Sequence, residues 1–356
     1  MIRSQRPERT RPWRSRRPLV RALLSLLAAG LLASILAWPL GARGARGRRA
    51  RTRPAPISLL GPLPRGDALP SIGSRPGDEA LAGLRLRPAM QHAADRVIVV
   101  SVDGLRPDSL GDRPTYQRLL AAGASAREGR TLERSLTLPS HASMVTGVGI
   151  ERHGLGFNSH RRSRRIRSRF PSIFRIARAA GYPTAMFVGK HKLEHLTQDE
   201  DLDRFEVGGS FCPRVNARAI PWLARMRTGL AFVHYPDPDG AGHRDGWLSA
   251  GYERAVRRTD SCMAELLTTL AASGDMRRTL ILITSDHGGH GRTHGSAQSE
   301  DTRIPWMAFG GAATRGELPQ LVQTLDTAPT VLRALGLPIP RGIEGSVVAG
   351  ALRPER

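Results

Sequence analysis

Cysteine is nearly absent, with only Cys212 and Cys262 in 356 residues. That excludes a small fold stapled by several bridges, and the spacing fits neither a zinc knuckle nor a redox C-x-x-C pair. The two could form one disulfide in an exported protein, or remain two buried thiols. Aromatic residues make up only 5% of the chain, too few for the stacking surfaces that bind single-stranded nucleic acid. Lysine is scarcer still: of 54 basic residues, only Lys190 and Lys192 are not arginine. Internal repeats and heptads are also missing, which excludes solenoids and coiled coils. Length imposes no such limit, because 356 residues can bury the core of one large α/β domain or two small ones.

Charge is plentiful but unevenly placed. The formal net charge is +23, yet positions 1–56 hold 14 Arg against one Glu, leaving +10 for the other 300 residues. Most of the excess therefore precedes any folded domain, and the Arg-rich composition reads as solvated charge, so nucleic acid is disfavoured as a partner. Residues 22–40 form an apolar run preceded by a basic segment. At about 1.5 Å per residue its 19 residues reach roughly 28 Å, enough for a bilayer core and longer than a usual signal-peptide centre. "SRRPLVR", residues 15–21, resembles a twin-arginine export signal. Residues 1–42 are thus read as a basic leader with a signal or membrane anchor. The expected location is periplasmic or extracellular, with anchoring by residues 22–40 left open. Residues 43–92, rich in Arg, Pro and Gly, read as a linker, and 93–352 as the folded domain.

The domain opens with "RVIVVSVDG", residues 96–104, a run of β-favouring residues that predicts a buried parallel strand ending in a carboxylate. Similar strands are predicted over 182–189, 229–235, 279–286 and 304–310. Helical patterns fall at 115–122, 173–180, 250–272 and 327–335. This alternation predicts an α/β fold, a mostly parallel central sheet flanked by helices on both faces, with ligands bound beyond the carboxyl ends of the strands.

Potential metal ligands collect at those strand ends. Asp103 closes the first strand. "PDPDGAGH" supplies Asp239 and His243, and its Pro and Gly content predicts a loop. "TSDHGGHGRTHG" supplies Asp286, His287, His290 and His294. Mixed carboxylate and imidazole donors of this kind suit two zinc-type sites. "LTLPSHASMVTG", residues 136–147, adds Thr137 in a stretch without helical or strand period. There Ser140 is expected to cap a helix beginning near Ala142. No partner is evident for His141, His153 or His234, and Lys190 and Lys192 read as structural or peripheral.

Taken in order, these motifs resemble the alkaline phosphatase superfamily, specifically its type I phosphodiesterase and nucleotide pyrophosphatase branch. The likeness spans residues 97–311: "VDG" with Asp103, "T-x-P-x-H" with Thr137, "ERHGLGFN" with Asn158, "D-x-x-G-H" with Asp239 and His243, and "SDHG" with Asp286 and His287. The last family histidine maps best onto His294, with His290 as a rival. The resemblance implies an alkaline phosphatase-like fold and two divalent metal ions, zinc by choice, with manganese compatible. One ion would be held by Asp239, His243 and His294. The other would be held by Asp103, Asp286 and His287, with the Thr137 oxygen as a further ligand. It also implies that Thr137 attacks phosphorus to give a phosphothreonine, and that Asn158 binds a phosphoryl oxygen. The implied substrate is a small-molecule or lipid phosphate ester. Sulfatases of the superfamily carry Cys or Ser in "C/S-x-P-S-R"; Thr137 with His141 argues against their chemistry.

Two other enzymatic readings share this site, a phosphomonoesterase and a phosphoryl-group transferase. A reading of another class is a membrane-tethered basic binding protein, which leaves the ordered Asp and His motifs unexplained. "HRRSRRIRSRF", residues 160–170, reads as a solvated Arg loop or as a cationic rim for an anionic substrate.

Overall fold

The computed structural model describes residues 92–161, 170–273 and 276–354. The leader, the anchor candidate at 22–40, the linker up to residue 91 and most of the Arg segment lie outside them. Along the chain run β1 (Arg96–Val102), α1 (Pro114–Ala122), β2 (Ala124–Arg130), α2 (Thr137–Thr146), α3 (Ile150–His153) and α4 (Ile173–Ala179). Next come β3 (Thr184–Val188), β4 (Arg204–Val207), α5 (Cys212–Leu223), β5 (Gly229–Tyr235), α6 (Asp237–Asp245) and α7 (Ala250–Ser273). The last are β6 (Thr279–Thr284), α8 (Ser299–Thr302), β7 (Arg303–Ile304), β8 (Trp306–Phe309), β9 (Gly316–Gln323) and α9 (Thr327–Ala334). None of the described helices is long and apolar enough to cross a membrane.

The strands form one sheet in the order β4-β3-β5-β1-β6-β8-β2-β7, with β9 paired to β2. From β4 to β6 every pairing is parallel, whereas β8 runs antiparallel to both β6 and β2. The fold class expected from the sequence is therefore the one observed, a mostly parallel sheet covered by helices.

The largely apolar character of the central strands follows from burial on both faces. Val97 and Val99 of β1 join Phe174, Phe232, Leu282 and Trp306 in one core layer. Ile98, Val100 and Val102 face the opposite layer with Phe187, Val233, Ile283 and Leu266. Successive side chains of a strand point to opposite faces, so two cores call for apolar residues on both, with polar Arg96, Ser101 and His234 confined to the strand ends.

Two local expectations are corrected. The segment with Asp239 and His243 is helix α6, not a loop. Its Gly242 answers a packing demand: a Cβ there would stand 2.6 Å from the Trp247 ring. The Thr137 segment is already helical at Thr137, and its N-cap residue, Leu136, has no side chain able to cap it. Ser140 Oγ instead accepts a hydrogen bond from Thr131 Oγ1 at 3.2 Å. All ten residues of α2 are buried, so no polar face exists to impose a period.

Candidate metal centre

Strands β3, β5, β1 and β6 are neighbours and parallel, so their carboxyl ends open on the same edge of the sheet. Residues just past those ends build the site: Lys190 after β3, Asp239 in α6 after β5, Asp103 after β1, and Asp286 with His287 after β6. Gly104, at φ +71°, allows the turn after β1 to sit against α6. A Cβ there would lie 3.0 Å from Asp239. The Asp239 amide donates to the Asp103 carbonyl at 3.0 Å, locking the two acidic residues together.

The structure gathers two triads, Asp103 with Asp286 and His287, and Asp239 with His243 and His294. Within each, the donor atoms lie close enough to hold one ion. His287 Nε2 is 3.3 Å from both Asp103 Oδ1 and Asp286 Oδ2. His243 and His294 Nε2 are 3.3 and 3.4 Å from Asp239 Oδ1. The triads adjoin, with Asp239 Oδ1 3.9 Å from His287 Nε2 and the His287 and His294 rings stacked at 3.7 Å. His290, the rival last histidine, belongs to neither; its Nδ1 pairs with Asp301 Oδ1 at 2.7 Å.

The hydrogen bonds behind the imidazoles make the fit to a cation specific. Nδ1 of His287, His294 and His243 lies 2.8, 2.7 and 3.0 Å from the carbonyls of Gly288, Ser135 and Arg292. A carbonyl only accepts, so each ring donates there and, when neutral, turns a bare Nε2 lone pair toward the carboxylates. Among the described residues, Asp103 Oδ1, Asp239 Oδ1 and Asp286 Oδ2 are buried and accept no hydrogen bond. Lone pairs facing lone pairs are repulsive unless a positive charge stands between them. Ligands of a tetrahedral zinc stand about 3.4 Å apart, given bonds near 2.1 Å.

Electrostatics point the same way. Burial disfavours the Lys190 ammonium, yet Asp103 and Asp239 outweigh it and hold its pKa above the ordinary lysine value. Burial also opposes charge on His287, but Asp286, Asp103 and Asp239 raise it to about 9. His294, with burial and His287 acting against its charged form, falls to about 4 and is neutral near pH 7. The pocket thus draws positive charge onto Lys190 and His287 while His294 stays neutral.

Thr137 is the first residue of α2, with Oγ1 3.4 Å from His287 Nε2. Asn158 Oδ1 accepts from the Leu138 amide at 3.0 Å, satisfying one of the unpaired N–H groups of that first turn, and from Lys192 Nζ at 2.8 Å. The amide Nδ2–H of Asn158 is left to donate. The start of a helix carries partial positive charge, which favours an anion beside Thr137.

Several residues given no site role by sequence belong here. Lys190 Nζ is 2.7 Å from Asp103 Oδ2 and 2.5 Å from Asp239 Oδ2, which corrects its reading as peripheral. His234 Nε2 donates to Asp103 Oδ2 at 2.9 Å, while its Nδ1 accepts from the Gly189 amide. His141 Nδ1 bonds the Thr137 carbonyl at 2.7 Å and its Nε2 reaches Ser101 Oγ at 2.8 Å. His153, by contrast, pairs with Ser143 Oγ inside the core. Only the position of His234 on β5, opposite Ser101 of β1, hinted at its role, since it places the ring one residue before the strand end.

Comparison with known proteins follows the same lines. The family profile described as type I phosphodiesterase / nucleotide pyrophosphatase matches residues 97–294. Bis(5'-adenosyl)-triphosphatase enpp4 of Xenopus laevis is 27% identical over 212 residues, covering 54% of this chain and 47% of that protein. The human GPI ethanolamine phosphate transferase 2 catalytic subunit is 30% identical over 285 residues, 71% of this chain and 27% of that one. The chain thus spans about half or less of the length of these curated relatives. Murine ectonucleotide pyrophosphatase / phosphodiesterase 5, solved in complex with AMP, has a TM-score of 0.60 at 15% identity and covers 69% of this chain and 96% of its own. A putative sulfatase from Bacteroides thetaiotaomicron has a TM-score of 0.63 at 15% identity, covering 74% of this chain and 75% of its own. The fold is alkaline phosphatase-like, and with more than half of its length matched by the profile, the chain belongs to the type I phosphodiesterase/nucleotide pyrophosphatase family.

Proposed function

We propose that the chain hydrolyses phosphate esters, diesters such as those of nucleotides foremost, through a phosphothreonine at Thr137. The observation that carries this reading is the set of three buried carboxylate oxygens facing imidazole Nε2 atoms beside a threonine hydroxyl. Asp103, Asp286 and His287, with Thr137 Oγ1, would hold one divalent cation, and Asp239, His243 and His294 the other. The nitrogen and oxygen donors suit zinc, and manganese is compatible. Such ions, when bound, acidify a hydroxyl or water and neutralise charge on reacting oxygens. Thr137 Oγ1, having lost its proton, forms a bond to phosphorus as the bond to the leaving oxygen breaks and the alcohol departs. Water then attacks phosphorus, the bond to Thr137 breaks, and the hydroxyl is restored. Asn158 donates to a non-bridging phosphoryl oxygen, and the first turn of α2 adds its partial positive charge. The names of the relatives, an adenosyl triphosphatase and an enzyme solved with AMP, support a nucleotide substrate.

A second reading is favoured by a specific observation. Lys190 and Lys192 bring two ammonium groups to the edge where Asn158 lies. A monoester carries one more negative charge than a diester and gains more from them, so a phosphomonoesterase uses the same nucleophile in this reading.

The test compares bis-(p-nitrophenyl) phosphate with p-nitrophenyl phosphate, using the full chain with zinc, with chelator, and as Thr137→Ala. Zinc-dependent turnover that prefers the diester and falls by about a thousandfold or more in Thr137→Ala is expected. Preference for the monoester would establish the second reading, and unchanged turnover in Thr137→Ala would defeat both.

Export also remains our proposal. It is supported by the disulfide joining Cys212 to Cys262, a bond suited to oxidising compartments, together with the apolar leader read from the sequence.

A further inference from the structure

A second cluster of metal-binding side chains stands outside the two triads. His160 follows Asn158 by two residues, while His191 and Glu194 lie one turn apart in the short 3-10 helix His191–Leu196, directly after Lys190. The Glu194 carboxylate is shared between the rings: His160 Nε2 is 2.5 Å from Oε1 and His191 Nε2 is 2.9 Å from Oε2. The imidazoles of His160 and His191 stack at 4.6 Å with their planes 15° apart. One donor atom from each of the three residues falls within 4.8 Å of the others.

We propose that His160, His191 and Glu194 form a third site, for a divalent transition metal, which clamps the segment carrying Asn158 to the turn carrying Lys190 and Lys192. Two imidazoles and a carboxylate are the donor set of zinc and of cobalt, and three protein ligands leave a position open to water. The two nitrogen–oxygen separations, 2.5 and 2.9 Å, would open to the roughly 3.4 Å spacing of ligands around a tetrahedral ion. The His191 side chain is 59% exposed and that of His160 34%, so both can move and both can be reached by a hydrated ion.

The position of the cluster gives the ion a consequence. The segments it joins already meet at Lys192 Nζ, 2.8 Å from Asn158 Oδ1, and at the Arg161 amide, which donates to His195 Nε2 at 2.9 Å. A metal ligated from residues 160, 191 and 194 adds a cross-link beside these contacts and holds Asn158 in place relative to the first turn of α2. His160, His191 and Glu194 are therefore positioning residues: the ion they bind stays clear of the phosphate and orders the residue that faces it.

The experiment dialyses the full chain to equilibrium against Co2+ and counts bound ions by elemental analysis. His191→Ala and Glu194→Gln are treated in parallel, with circular dichroism as the control for folding. Each variant is expected to bind one ion fewer per chain than the unaltered protein. The Asn158-dependent part of catalysis is expected to follow, with KM rising in His191→Ala while kcat changes less. Because the count is a difference between proteins that share both triads, it stands whether or not the triads carry the proposed hydrolysis. Equal counts in all three proteins would overturn the site, reducing the cluster to a carboxylate shared by two imidazoles. A lost ion with unaltered KM would overturn its positioning role.

Discussion

Asp103 illustrates how much a single side chain here depends on its neighbours. One of its oxygens receives Lys190 Nζ and the ring of His234, and the other faces His287. Burial alone would raise its pKa, but Lys190 and His234 reverse that and keep it well below the usual carboxylate range. His234 contributes orientation as well, because the Gly189 amide fixes which nitrogen bears its proton. His234→Ala is thus expected to weaken metal binding by about ten- to a hundredfold, as losses of such supporting partners do. Metal retention against a graded chelator reads this directly, and His234→Gln, which can still donate, should recover part of it. Retention unaltered in His234→Ala would show that Lys190 alone suffices to hold Asp103. The six Asp and His of the two triads were legible as candidates because Asp and His recur in order after strand ends. His234 and Lys190 were not, because their partners lie 131 residues or a whole strand away, and one sequence does not display such pairings.

At the scale of elements, α5, α6 and α7 are tied together at the candidate metal centre. The disulfide links Cys212 of α5 to Cys262 of α7, with Cα atoms 6.2 Å apart. Asp237, the first residue of α6, accepts from the Cys212 amide at 2.7 Å and from Arg258 Nη1 at 3.0 Å. Both ties fix the helix that carries Asp239 and His243. Cys262→Ser is expected to lower stability by about 2 to 5 kcal/mol, in line with losing a native bridge, and urea unfolding followed by circular dichroism measures it. An unchanged midpoint would mean that Asp237 and Arg258 do the holding unaided.

Sequence periodicity identified α1, α4 and α7, which have one buried and one more exposed side, and also α9, which is buried apart from Arg333. It missed α5, whose Pro213 and Pro221 read as breaks, and misread α6 because of Pro238, Gly240 and Gly242. In α6 Gly242 serves close packing against Trp247 rather than a turn. Strands β2 and β9 escaped notice for a different reason: ASAREGR and GELPQLVQ are largely polar and sit toward one end of the sheet, where strand pairing, not burial, defines them.

At the scale of the whole molecule, the balance of charge in the site bears on stability. Three buried acidic residues, Asp103, Asp239 and Asp286, stand against one lysine, with His287 drawn toward protonation. An ion that binds only the folded state adds about 2.7 kcal/mol per site when its free concentration is 100 times Kd. Calorimetry of Thr137→Ala, chosen so that turnover does not interfere, is therefore expected to show a higher Tm with zinc than with chelator. Coincident transitions would mean that the triads bind no ion in the folded chain.

Asp103 and Asp286 stand just past strands whose pairing joins residues 183 positions apart, such as Arg96 and Thr279, and Asp239 lies in the helix that follows a third strand of the same row. No fragment that lacks one of these strands can present the complete set of donors. Possession of the proposed ions would accordingly be a certificate of assembly: a molecule that retained them would already have brought its distant segments into register, and one still in the course of folding would have nowhere to keep them.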